Sequence, residues 1–314
     1  MKILVTGGAG YIGSTAVSML LAAGHQVNVL DDLSTGHPES LPREVNFIKG
    51  TLLSDSDLEK AISGCDAVIH FAAKSLVGES VEKPALYQEV NVGGSTALLN
   101  KMKAHGISRM VFSSTAATYG EPKRIPISED DLPEPKNPYG QTKLEIDKLI
   151  SGSGLSAISL RYFNVAGALE TGRGWLAERH NPETHLIPNV LKATETSPVK
   201  IFGTDWPTAD GTCIRDYVHV VDLIEAHIAA LNNLSEGKHE IINLGSGSGY
   251  SVKEVIAAAE LAVGHKIPAI ESQRRAGDPA VLIADITKAK KFLNWQPKRD
   301  LNQMVLDTWK SIQS

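Results

Sequence analysis

The chain opens on a pattern that few folds accommodate. Lys2-Ile3-Leu4-Val5-Thr6 is a short apolar run that stops at Gly7-Gly8-Ala9-Gly10-Tyr11-Ile12-Gly13, and a helix pattern over residues 12–23 follows, closed by Gly24. A strand that is apolar at successive positions is buried on both faces, which calls for a parallel sheet covered by helices on each side. Glycines between that strand and the helix let the chain turn tightly and let other groups approach the backbone closely. The alternation then repeats. Residues 27–30 read as a strand ending at Asp31-Asp32, and residues 45–49, 67–71 and 109–113 as further strands. Residues 56–62 and 84–105 read as the helices between them. Repeated strand–helix alternation implies right-handed crossovers and an α/β fold, here a doubly wound parallel sheet of Rossmann type.

The pattern continues with a Pro-rich loop over residues 122–138, a helix over 139–150 and a strand over 157–163. Beyond Asn164 the texture changes. Residues 165–212 are rich in Gly, Pro, Thr and polar side chains, without clean periodicity. They predict a smaller C-terminal, substrate-binding lobe. Residues 1–165 then form the dinucleotide-binding domain and residues 166–314 mainly the lobe, with about 213–245 returning to the first domain. Short helices are expected over 186–193, 220–231 and 252–261, and a returning strand over 241–243.

The glycine spacing carries chemistry. Gly8, Gly10 and Gly13 fit G-x-G-x-x-G, and Gly7, Gly10 and Gly13 fit a related spacing. Placed after a buried strand and before a helix, such a loop presents N–H groups and a helix dipole to a pyrophosphate. Asp31 and Asp32 stand where an acid meets the adenosine ribose. There a carboxylate accepts from ribose hydroxyls and repels a 2′-phosphate, favouring NAD over NADP. Alone, the two would read as solvated acids at a strand end.

Tyr139-Gly140-Gln141-Thr142-Lys143 puts a phenol and an ammonium one turn apart on one helix face. The ammonium favours phenolate, so a lowered Tyr139 pKa is expected, and such a group can take a proton from a sugar or alcohol hydroxyl. Ser113-Ser114-Thr115 closes a strand whose C-terminal end faces the ligand crevice. The hydroxyl run alone would be turn chemistry, and the Tyr–Lys pair alone an exposed helix pair. Behind a dinucleotide loop, they point together to a nicotinamide enzyme that oxidises a hydroxyl.

Composition narrows the partners. Among 314 residues, the formal net charge of −5 argues against a nucleic-acid or anionic-membrane partner. Cys65 and Cys213 are the only cysteines, too few for a disulfide framework or a zinc spacing, so no metal site is assigned and a reducing compartment fits. No leader pattern precedes the first strand, and no apolar run approaches the ~18 residues needed to span a bilayer, so a cytoplasmic location without membrane partner is expected.

Several segments carry a specific likeness: TGGAGYIG (6–13), LDDLSTGH (30–37), HFAAKSLVGESVEKP (70–84), FSSTAATYG (112–120), PYGQTK (138–143), RYFNVAGA (161–168), HNPETHLIP (180–188), IFGTDWPTADGTCIRDYVHV (201–220) and RRAGDPAVLIAD (274–285). On these the chain resembles the extended short-chain dehydrogenase/reductases and, within them, the UDP-glucose 4-epimerase family, almost end to end. The related sugar-nucleotide 4,6-dehydratases carry an Asp-Glu pair after the catalytic Thr. Ala116-Ala117 stand there instead, which serves elimination poorly.

The resemblance implies bound NAD and transient oxidation at C4 of a UDP-sugar, interconverting UDP-glucose and UDP-galactose through a 4-keto intermediate. It makes Tyr139 the base, Lys143 its activator and Thr115 the group that holds O4. It assigns Gly7, Gly10, Tyr11, Ile12, Gly13, Asp31, Asp32, Leu33, Thr51, Leu52, Phe71, Ala72, Ala73, Lys74, Asn91, Ser113 and Phe163, with Tyr139 and Lys143, to the cofactor. It assigns Asn164, His185, Leu186, Ile201, Phe202, Arg215, Arg275, Asp278 and Leu282, with Thr115 and Tyr139, to the UDP-sugar. Arg215 could instead pair with Asp216, and Arg274-Arg275 could form a solvated charged loop. Thr51 offers a hydroxyl where the family has an acid near adenine. Leu282, at the position that gates sugar size, is smaller than the Tyr that restricts relatives to glucose and galactose. UDP-N-acetylglucosamine or a UDP-pentose therefore stand as alternative substrates, and a non-catalytic NAD-sensing role as a different class. Relatives pair through the helices at 84–105 and 139–150, so a homodimer is expected. The Ser151-Gly152-Ser153-Gly154 run makes the second of these helices shorter than the family's.

Overall fold

The computed structural model describes residues 1–275 and 277–314; Ala276, inside the 274–285 segment, lies outside the described residues. The first half mostly alternates strands with helices. In chain order it runs β1 (Lys2–Thr6), α1 (Tyr11–Ala22), β2 (Gln26–Asp31), β3 (Asn46–Lys49), α2 (Asp55–Ile62), β4 (Ala67–His70), α3 (Val77–Glu82), α4 (Pro84–Tyr87), α5 (Gly94–Ala104), β5 (Arg109–Thr115), α6 (Pro138–Ser151) and β6 (Ser156–Tyr162). Short strands follow: β7 (Asn164–Ala166), β8 (Leu169–Thr171) and β9 (Gly174–Leu176), then α7 (Leu186–Leu191), β10 (Val199–Phe202), β11 (Ile214–Arg215) and β12 (Tyr217–His219). The chain ends with α8 (Val220–Asn232), β13 (His239–Leu244), β14 (Tyr250–Ser251), α9 (Val252–Val263), β15 (Ala269–Ser272), β16 (Val281–Leu282), α10 (Thr287–Leu293) and α11 (Leu301–Gln313).

Seven parallel strands form the central sheet in the order β13-β6-β5-β4-β1-β2-β3. The order reverses between β1 and β4, the place where open α/β sheets leave a crevice beyond their strand ends. The two-residue strand period explains why these strands are apolar throughout. Ile3 and Val5 pack into a layer with Val17 and Leu20 of α1 and Leu223 and Ala226 of α8. Leu4, between them, points the other way, onto Leu58 and Ile62 of α2 and Leu98 and Met102 of α5. A third core joins Ile187 and Val190 of α7, Val255 and Ala259 of α9, and Met304 and Val305 of α11. No helix among the described residues is long and apolar enough to cross a membrane.

Two expectations shift. The helix read over 84–105 is interrupted by a wide turn over Gln88–Gly93, in which backbone bonds skip one residue further. Such turns concentrate at functional places, and Asn91 sits inside this one, fully buried. The strand read over 109–113 extends two residues further, because Ser114 and Thr115 continue the register with Arg161 and Tyr162 of β6.

Candidate active site

The glycine loop is shaped by close approach. Gly7 has a left-handed backbone, φ 70°, and a Cβ there would lie 2.7 Å from the Ala72 nitrogen at the end of β4. A Cβ on Gly13 would lie 2.0 Å from the Gly7 carbonyl oxygen. At Gly10 the nearest atom to such a Cβ is 3.5 Å away, so the loop's outer side is open there. No described side chain caps α1, whose N-terminal N–H groups Tyr11, Ile12 and Gly13 therefore border that opening. An open, uncapped helix start between β1 and the β4 end fits a dinucleotide pyrophosphate.

Around this loop the cofactor candidates divide into those facing the opening and those that brace it. Asp31 is a brace: its carboxylate accepts from Ala9 N–H at 2.9 Å and Leu33 N–H at 2.8 Å. Burial pushes its pKa up, against the pull of those donors. Leu33 itself takes a left-handed φ of 61°, held by that bond. Asp32 is exposed and accepts from Ser34 N–H at 2.8 Å. Tyr11 turns its hydroxyl to the Gly167 carbonyl at 2.5 Å, tying the loop to the segment after β7. Asn91 is spent entirely on structure, clasping Lys74 N–H at 2.8 Å and Lys74 C=O at 3.0 Å and reaching Thr142 at 3.2 Å. It fixes the Phe71-Ala72-Ala73-Lys74 segment against α6. Thr51 N–H donates to Asp57, and Leu52 is buried against Gly94. Phe163 is half-buried against the core at the end of β6.

Thr115, at the last position of β5, and Tyr139 and Lys143, on the first turns of α6, come together. Asn137 starts this helix by accepting from Gly140 N–H at 2.8 Å. Lys143 is buried, 2% exposed, and its ammonium donates to the Ser113 carbonyl at 2.7 Å. It lies 6.0 Å from the Tyr139 ring centre and 4.7 Å from that of Phe112. The Ser113 hydroxyl meets the Tyr162 hydroxyl. The expected lowering of the Tyr139 pKa is not what the protein alone produces. Burial pushes the phenol up to about 12, with Thr115 pulling the other way. The same burial pulls Lys143 down to about 8, and the Asp147 carboxylate resists it. Desolvation of both groups outweighs their mutual influence because the ammonium is bonded to a main-chain oxygen rather than to the phenol.

The UDP-sugar candidates gather on the other side. Arg215 and Leu282 are register partners in the parallel pair β11–β16. Arg215 stands 3.7 Å from Asp278 and donates to the carbonyls of Ile214 and Pro279, each at 2.9 Å. Its alternative partner, Asp216, instead points into the core, where it accepts from the Ser246, Gly247 and Ala284 N–H groups. The Arg275 guanidinium lies 3.8 Å over the Phe202 ring, and Arg274 covers Trp206 at 4.1 Å and pairs with Asp205. The Arg274-Arg275 loop is thus stacked on two aromatic rings rather than free in solvent. Ile201 is buried in β10, which pairs with β15. Asn164 donates to the Asp216 carbonyl at 3.0 Å from β7, and Leu186 opens α7 after His185. The His185 ring is turned toward Glu183 and Glu178.

Three positioning residues escaped the sequence reading. Asp147 lies one further turn along the Tyr139–Lys143 face and forms a buried pair with Arg161 at 2.8 Å. It also accepts from Ser114 at 3.2 Å. Its i+4 spacing from Lys143 was the available signal. Arg161 additionally covers the Tyr119 ring at 4.8 Å. Asp216 holds the loop after β13 and the end of β16 to one carboxylate, and only the fold reveals that, since its partners lie far along the chain.

Residues 3–245 match the model of the NAD dependent epimerase/dehydratase family. The UDP-glucose 4-epimerase of Corynebacterium glutamicum is 51% identical over 318 residues, covering 98% of this chain and 95% of that protein. That of Halalkalibacterium halodurans is 51% identical over 319 residues, with the same coverage. Among solved structures, the UDP-glucose 4-epimerase of Stenotrophomonas maltophila with bound NAD and formylated UDP-arabinopyranose superposes with a TM-score of 0.95 at 37% identity, covering 100% of this chain and 98% of that one. The Bifidobacterium longum enzyme with NAD+ and UDP superposes at 0.93 and 36% identity, again covering 100% and 98%.

Proposed function

The chain belongs to the NAD dependent epimerase/dehydratase family, and from that premise we propose that it is an NAD-dependent UDP-glucose 4-epimerase, interconverting UDP-glucose and UDP-galactose. The observation that carries this reading is the convergence of Thr115, Tyr139 and buried Lys143 at the C-terminal edge of the sheet, next to an uncapped glycine loop. When bound, NAD takes up and gives back the hydride at C4 of the sugar, so no net redox change results. Gly10, Tyr11, Ile12 and Gly13 would face its pyrophosphate, and the Phe71–Lys74 segment and Phe163 would line its path.

The chain's own residues perform the proton chemistry. The Tyr139 hydroxyl oxygen takes the proton from the sugar O4 and returns it after the keto sugar has turned over. Thr115 holds O4 by a hydrogen bond. Lys143, anchored on the Ser113 carbonyl, supplies a fixed positive charge that steadies the phenolate during that exchange. Arg215 and Arg275 provide forked N–H donors for the diphosphate, with Asp278 on the uridine ribose and Ile201-Phe202 against the uracil. Ala116-Ala117 offer no acid or base for elimination, which favours epimerisation over dehydration.

Incubating the purified protein with UDP-galactose and no added NAD tests this reading. UDP-glucose accumulates if cofactor stays bound through turnover; no conversion, with or without added NAD, refutes it. Leu282, intermediate in size and beside Arg215, leaves room for N-acetylated or pentose UDP-sugars, and assays with each nucleotide sugar settle the range.

We further read the chain as a cytoplasmic homodimer. The two free cysteines support a reducing compartment, and the α5 and α6 helices supply the pairing faces, α6 ending early at Ser151. We read residues 1–165 as the cofactor domain and 166–314 mainly as the substrate lobe. The separate core of α7, α9 and α11 and the return of β13 to the central sheet support that division.

A further inference from the structure

Glu178, His180, Glu183 and His185 crowd one short stretch ahead of α7, and the chain folds them onto one another. Donor atoms of Glu178, His180 and His185 all lie within 4.8 Å of one another. His180 Nδ1 is buried and stands 2.5 Å from Glu178 Oε1, its one close polar partner. His185 Nδ1 meets Glu183 Oε1 at 2.9 Å and Glu178 Oε2 at 3.7 Å. The two imidazoles stack, with centres 5.5 Å apart and planes 24° from parallel. The Glu183 side chain is only 8% exposed, and its Oε2 is buried without a partner. A buried acceptor left unpaired, as Glu183 Oε2 is, is costly. Moreover, both carboxylates act on Tyr11, at the start of α1. Negative charge gathered beside a loop suited to an anion is unfavourable unless a cation offsets it.

We propose that Glu178, His180 and His185 bind one divalent transition-metal ion of the zinc class, with Glu183 orienting His185. Two imidazoles and a carboxylate form a donor set that zinc-like ions favour, whereas magnesium and calcium require oxygen ligands. The Glu183–His185 bond has the form of the carboxylate–histidine contacts that fix a metal ligand's orientation. A cavity of about 30 Å³ is lined by Glu178 and His180 together with Gly10 and Tyr11, so the ion would sit beside the start of α1. Cys213 takes no part, since it lies in the field of Arg215, Asp278 and Arg275. His185, which the resemblance places on the UDP-sugar, would hold the ion instead, and zinc uptake is read separately from epimerase turnover, so either reading can fail without the other.

Full-length protein stripped with a chelator and titrated with zinc against a chromogenic competitor tests it, with magnesium in parallel. Stoichiometric zinc uptake, a higher melting temperature with zinc, and indifference to magnesium are expected. Joint His180→Ala and His185→Ala substitution abolishes the site, while Cys213→Ser leaves it. Glu183→Gln weakens zinc about 10–100-fold. Absence of zinc uptake by the stripped wild-type protein overturns the proposal. So does magnesium saturation, uptake unchanged in the double variant, or loss of uptake in Cys213→Ser. If the double variant does not fold, an unchanged affinity in Glu183→Gln overturns it equally.

Discussion

In the proposed reaction Tyr139 carries the proton chemistry at the scale of one atom, and burial holds its phenol above the ordinary range. Replacing it by Phe removes the phenolic oxygen and keeps the ring. Turnover of UDP-galactose should fall by about 10²–10⁴-fold, the usual contribution of a positioned acid–base group, while the fold stays intact by circular dichroism. Full turnover in that variant would mean that the proton goes elsewhere. A second residue, Leu282, is proposed to set specificity. Leu282→Tyr places a larger side chain beside Arg215, so conversion of UDP-N-acetylgalactosamine should drop at least ~10-fold relative to UDP-galactose. An unchanged ratio of kcat/KM values would remove Leu282 from the sugar pocket. The Tyr–Lys spacing was readable as letters because one helix turn joins the pair, and the strand-end Thr because such strand ends face the crevice. The direction of the Tyr139 pKa was not, because desolvation belongs to the whole fold around the group.

Among the elements, α6 matters most, since it presents Tyr139, Lys143 and Asp147 along one face. Its start depends on Asn137, which caps the helix immediately before Pro138. Asn137→Ala should cost about 1 kcal/mol of stability by urea unfolding and reduce turnover without changing the chemistry available. A variant equal to wild type in both would show that packing alone positions the helix. Strand and helix periods located nearly every element of the central sheet. The wide turn holding Asn91 stayed hidden, because a run of helix-forming letters does not reveal an added backbone residue. Its cause is tertiary: the Asn91 amide is drawn to both backbone groups of Lys74. The substrate side was readable only through resemblance. β10 pairs with β15, and β11 with β16, across separations that no local pattern records.

On the scale of the whole molecule, buried neutral histidines set an acid limit. Burial, with the Lys143 charge adding to it, pushes His70 down to about 3, and burial pushes His227 down to about 4. Both values lie below the ordinary 6.5 of the unfolded chain, so unfolded protein takes up protons that folded protein refuses. The stability they confer is complete above that value and lost as pH falls toward 4 and then 3, at about 1.4 kcal/mol per pH unit for each group. Asp31, Glu129 and Asp216, held above the usual carboxyl range by burial, oppose the loss at its acid end. Urea unfolding at neutral and mildly acidic pH should show lower stability at the acidic value. His227→Gln should flatten that slope; an equally steep slope would assign the acid sensitivity to other groups.

The bond from Lys143 to the Ser113 carbonyl has an evolutionary reading. No substitution at position 113 short of rerouting the strand can delete a main-chain oxygen. The ammonium's anchor is therefore inherited with the path of the polypeptide rather than with any codon, and whatever constrains the letter at 113, such as its hydroxyl on Tyr162, is separate from what keeps the charge in its place.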